Sequence, residues 1–79
     1  MILGLYVVKD ELANHYFNPT PFLSKEEAER QFKTNVNNIE LWKNNASDFS
    51  LFKVGEYNEE TGEIIPVIEK IGSGHSYLN

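Results

Sequence analysis

Residues 2–9, Ile-Leu-Gly-Leu-Tyr-Val-Val-Lys, constrain the fold most, because they read as a β-strand that is apolar on both faces. Neighbouring side chains of a strand point to opposite sides of its sheet. Ile2, Tyr6 and Val8 therefore share one face, and Leu3, Leu5 and Val7 share the other. Both faces need cover, from the chain itself or from a partner. A chain of 79 residues has little to spare for that task. A domain of this size buries only about 60% of its unfolded surface. The length also excludes two-domain enzymes, repeat arrays and transmembrane bundles.

One helix is well marked. Ser24-Lys25-Glu26-Glu27 has the pattern of a capping box, and the early glutamates suit the positive end of the helix dipole. Ala28, Phe32 and Val36 follow at intervals of four, which is one helical stripe. The spacing predicts a helix over 25–36. Before it, Pro19 and Pro21 make residues 12–23 a loop with at most a short edge strand. After it, residues 39–45 are either a short helical turn or an ordered loop.

Residues 49–57 read as a second strand, with Phe52 on one face and Phe49, Leu51, Lys53 and Tyr57 on the other. Gly55 marks a bulge or a close backbone approach. Asn58-Glu59-Glu60-Thr61-Gly62 connects a hairpin, with Gly62 suited to a left-handed backbone. Residues 63–68 return as a third strand, cut short or placed at the edge by Pro66. Gly72-Ser73-Gly74 has the composition of a flexible linker. The expected fold is therefore a small α+β domain over residues 1–70, with a flexible C-terminal tail over 71–79. The domain has a three-stranded antiparallel sheet with one helix packed on it, in the order β-α-β-β. The alternative for the tail is an arm that docks through Tyr77 and Leu78.

Little in the chain supports catalysis. There is no cysteine, so there is no thiolate. His15 and His75 lack a second ligand at metal-binding spacing. Ser73 and Ser76 flank His75 in a segment that holds no geometry, and the glutamate runs cap a helix or decorate a turn. No glycine pattern makes a phosphate loop. We expect no enzyme and no cofactor. The apolar start is short and lacks a basic leader, so no targeting segment is expected. No apolar run approaches the roughly 20 residues of a membrane span.

The net charge is −5 and the sequence pI about 4.9. That excludes broad electrostatic attachment to nucleic acid or membranes. A single strand can still be held by aromatic stacking with few charges. Tyr6, Trp42, Phe52 and Tyr57, with Lys9, Arg30, Lys33, Lys43 and Lys53, form the pool for such a surface. Within it Tyr6, Trp42, Lys43, Lys53 and Tyr57 are the candidate nucleic-acid-binding residues, with Lys53 and Tyr57 expected on one strand face.

Three segments together resemble a known family. They are Leu5-Tyr6-Val7-Val8-Lys9-Asp10, then Ala28-Glu29-Arg30-Gln31-Phe32 with Val36, then Asp48-Phe49-Ser50-Leu51-Phe52-Lys53-Val54-Gly55-Glu56-Tyr57 running on to Thr61-Gly62-Glu63-Ile64. In this order they are similar to the small nonstructural protein of gokushovirus-type microviruses, phages with a circular single-stranded DNA genome. The likeness spans roughly residues 3–68. It departs at Asn58, where an aspartate is usual, and in the tail. It implies a phage protein of the host bacterial cytoplasm, absent from the virion, that binds DNA and acts in genome replication or its switch toward single-strand production. No site residue transfers with it. Two functions are expected. The first is a single-stranded-DNA-binding accessory of replication. The second is a non-catalytic dimeric interaction module that regulates a basic viral replication or packaging protein. The uncovered face of the first strand predicts a homodimer in either case.

Overall fold

The computed structural model describes all 79 residues, Met1–Asn79. β1 (Ile2–Asp10) lies inside the sheet, as its two apolar faces require. Along one side it pairs antiparallel with β4 (Phe49–Asn58), which pairs in turn with β5 (Ile64–Ser73). Along its other side it meets two short strands, β3 (Thr20–Phe22) near its start and β2 (His15–Tyr16) at its end.

The sheet is thus five-stranded, with two helices, α1 (Lys25–Asn38) and α2 (Glu40–Asn44). This corrects the three-stranded, one-helix β-α-β-β arrangement expected from the sequence. The added strands come from residues 12–23. Asp10 makes their hairpin, its carboxylate accepting from the amides of Leu12 and Ala13 at 3.1 Å each. Asn14 closes the turn in a left-handed conformation that asparagine tolerates. Pro21 sits opposite Leu5 in β3. Proline is accepted there because an edge strand need not donate on both sides.

The hydroxyl of Ser24 accepts from the Glu27 amide at 3.2 Å, which starts α1. At the other end the side chains of Asn37 and Asn38 donate to the carbonyls of Lys33 and Thr34, and Ile39 takes an extended backbone that stops the helix. Ala28, Phe32 and Val36 are fully buried, against Tyr6, Phe49 and Leu51 of the sheet. Trp42 of α2 joins this core in a stack, 5.9 Å from Phe17 and 4.9 Å from Phe49.

The C-terminal segment packs against this core, in the manner of the docking arm given as the alternative to a flexible tail. Ile71–Ser73 complete β5, and Gly74–Tyr77 form a single 3-10 turn. Only glycine fits at position 74, where a Cβ would lie 2.5 Å from the Ala46 carbonyl oxygen. The turn carries the Tyr77 ring edge-on to Phe32, with ring centres 5.3 Å apart. The Tyr77 hydroxyl donates to Glu29 at 2.6 Å, and Asn37 donates to the Tyr77 carbonyl at 3.0 Å.

Desolvation, and then the Glu29 carboxylate, push the Tyr77 phenol up to about 12. The unfolded chain loses that proton near the usual value of about 10. The contact therefore stabilises the fold fully below about pH 10 and is lost as the pH rises toward 12. Tyr77→Phe should cost about 1 kcal/mol near neutral pH. It should also shrink the loss of stability between neutral and strongly alkaline pH. Urea denaturation of both proteins across that range checks this, and equal alkaline losses would show the tail contact to be idle.

Candidate functional site

One helix layer leaves one face of the sheet open. Residues directly opposed in an antiparallel pair share a face. Tyr6 opposes Lys53 and Val8 opposes Leu51 on the side of α1. On the other side Leu3 opposes Tyr57, Leu5 opposes Gly55, Val7 opposes Phe52 and Lys9 opposes Ser50. β5 adds Ile64, Pro66 and Lys70 to that side, opposite Tyr57, Gly55 and Phe52. Ile68 joins them by alternation. β2 adds Tyr16, opposite Lys9. No helix lies over these residues.

The open face has two ends. At one, the Lys9 ammonium lies 5.0 Å from the centre of the Tyr16 ring and 5.9 Å from that of Phe52. Tyr16 stands edge-on to Phe52, ring centres 5.6 Å apart. Phe52 is only 9% exposed, whereas Tyr16 is 43% exposed and is the accessible ring. Glu11 binds the cluster together. Its carboxylate meets Lys9 and Lys70 at 3.2 Å each and accepts from the Ser50 hydroxyl at 3.0 Å. Hydrogen bonds from Lys70, Lys9 and Ser50 hold the Glu11 carboxyl below its usual range. The bond to Glu11 raises Lys9 above the usual lysine value. The other end is aliphatic: Leu3, Leu5, Tyr57, Ile64 and Ile68, with Ile64 61% and Ile68 73% exposed.

The five residues singled out from the sequence do not converge. Tyr57 lies on the open face, at its aliphatic end. Tyr6 is 5% exposed beneath α1 and offers no free ring face. Trp42 is half-buried between Phe17 and Phe49, and Lys43 is exposed beside it on α2. Lys53 is on the α1 side, 3.3 Å from Glu56. Lys53 and Tyr57 were expected to share a face, but a bulge separates them. The register shifts between Lys53 and Gly55, so Val54 is an extra residue that reverses the alternation of everything after it.

Lys9 and Phe52 belonged to the wider pool of candidates, whereas Tyr16 and Lys70 did not. Tyr16 reaches the site only through the hairpin that Asp10 and Asn14 build. The proximity of Lys70 to Glu11 crosses 59 residues of sequence, which no local pattern signals.

The arrangement can do two things chemically. Its ring and ammonium groups can meet a base and a phosphate, and its aliphatic end can bury itself against another protein surface. Residues 3–77 match the family model described as phage ORF5 protein. No curated protein and no solved structure matches the chain.

Proposed function

We propose that this chain, which belongs to the phage ORF5 protein family, is a single-stranded-DNA-binding accessory of phage genome replication. On this reading it is the nonstructural protein of a gokushovirus-type microvirus, acts in the host cytoplasm rather than in the virion, and catalyses nothing. The observation that supports it is the cluster of Lys9, Lys70 and the exposed Tyr16 ring on a sheet face that no helix covers. Tyr16 stacks on a base, and the two ammonium groups meet the flanking phosphates. Glu11 occupies both lysines while no strand is bound, so it competes with phosphate for them.

This competition makes the reading testable with a fluorescently labelled oligodeoxynucleotide. Binding through two lysines should weaken with salt along a log–log slope of about −1.4, from roughly −0.7 per phosphate. Tyr16→Ala should weaken binding about tenfold, within the range for a lost stacking platform. Lys70→Gln should weaken it and lower the slope, and Glu11→Gln should tighten it. Fluorescence anisotropy reads all four. The absence of saturable binding at about 100 µM protein would overturn the proposal. So would binding that Tyr16→Ala leaves intact.

A second reading has its own observation. Ile64 and Ile68 are exposed beside Leu3, Leu5 and Tyr57, and the outer edge of the ten-residue β5 is unpaired. A continuous apolar surface next to an unpaired strand edge suits a partner. In this reading the chain is a homodimer joined at that end. Its acidic surface steers it toward a basic viral protein that it regulates. Sedimentation equilibrium at tens of micromolar should give twice the 9.1 kDa chain mass, and Ile68→Lys should return it to 9.1 kDa. A parent protein that sediments as the single chain would remove this reading.

A further inference from the structure

Beneath the other face of the sheet, a cleft of about 390 Å³ opens between α1, α2 and the chain that links β2 to β3. Its size falls within the range of roughly 300–1,000 Å³ usual for small-molecule sites. Its walls include Tyr6, Phe17, Phe22 and Trp42. No acidic, basic or histidine side chain lines it. A phosphate or carboxylate would find no counter-charge there, so the bound group is uncharged.

The polar groups of the cleft narrow the choice further. Three carboxamides, Asn18, Gln31 and Asn35, line it. Gln31 donates to Asn35 at 3.1 Å, and their side chains make no other hydrogen bond within the chain. The Gln31 side-chain oxygen, its second N–H and both side-chain N–H groups of Asn35 are left over, and the Asn18 amide is unused altogether. A hydrocarbon would engage none of these. A flat heterocycle with alternating donors and acceptors on its edge satisfies them while its faces meet the apolar walls.

We propose that this cleft binds a nucleobase, with Asn18, Gln31 and Asn35 reading its edge and the apolar walls enclosing its faces. The site is independent of the open-face cluster, because β1 and β4 separate the two. The base could belong to a free nucleoside or be turned in from a strand.

Nuclear magnetic resonance on the full ¹⁵N-labelled chain tests this. Trp42 is the one tryptophan of the sequence, so its indole N–H signal reports on the cleft without ambiguity. Adenosine, cytidine, guanosine and thymidine are each titrated, with benzyl alcohol as a ring that lacks a base edge. At least one nucleoside should shift the Trp42 indole and the Asn35 and Gln31 side-chain amides saturably. Asn35→Leu, at a half-buried position of α1, should weaken that nucleoside about tenfold and leave benzyl alcohol unaffected. Gln31→Leu, at an exposed position of the rim, should do the same if Asn35→Leu disturbs the helix. Lys70→Gln should change nothing here, which separates this site from the proposed strand-binding face. A trinucleotide that shifts the same signals at lower concentration than its nucleoside identifies a strand as the source, and equal concentrations identify the free nucleoside. No shift at millimolar nucleoside would overturn the proposal. So would benzyl alcohol matching the nucleosides in both variants.

Discussion

A single amphipathic helix covers one face of a sheet and no more, and the rest of this structure follows from that limit. Ala28, Phe32 and Val36 present one stripe, and the sheet answers it with Tyr6, Phe49 and Leu51. β1 has apolar residues on both faces, so its second face has to manage without a helix. The chain manages at one end by local cover: Val7 and Phe52 are buried there although no helix lies above them. At the other end Ile64 and Ile68 stay in water. The two proposed roles of the open face correspond to these two solutions. The covered end carries the ring and its ammonium groups, and the uncovered end carries the surface a partner would bury.

How much of this could be read in the sequence depends on whether the determinant was local. Helix α1 was legible because Ser24 and the Ala28–Phe32–Val36 spacing act within a few residues. The left-handed Gly62, at φ 77°, was legible because the hairpin turn demands it. Gly55 was legible as an irregularity, and it sits beside the bulge with a virtual Cβ 3.1 Å from the Ile65 carbonyl oxygen. The sheet was not legible in full. Strands of two and three residues are too short to show a period. The docked C-terminus was legible only as the alternative, through Tyr77 and Leu78, because glycine-rich composition suggests flexibility. Here two of those glycines instead let backbone and ring pack closely: Gly72 lies under Tyr77, and Gly74 against Ala46.

The candidate site was harder to read than the fold. An extra residue at Val54 moves Tyr57 to the open face and leaves Lys53 with Glu56 on the other. No alternation pattern could place either one correctly without knowing of the bulge. Trp42-Lys43 reads as a stacking platform beside a cation, yet the indole is held between two phenylalanines. The electrostatics are local in the same way. A chain of net charge −5 still gathers two lysines around one glutamate on a sheet face. What that face offers a phosphate is decided by Glu11 rather than by the total, because charges beyond about 10 Å are screened at ordinary salt.

Membership of the phage ORF5 protein family places the chain among phage proteins, and the central proposal is that its open sheet face holds single-stranded DNA. Photochemical cross-linking to a bromodeoxyuridine-substituted strand, followed by peptide mass spectrometry, tests that proposal most directly. The account predicts an adduct on Tyr16 that Glu11→Gln increases. Adducts confined to α1 and α2, with none on Tyr16 in either protein, would contradict it.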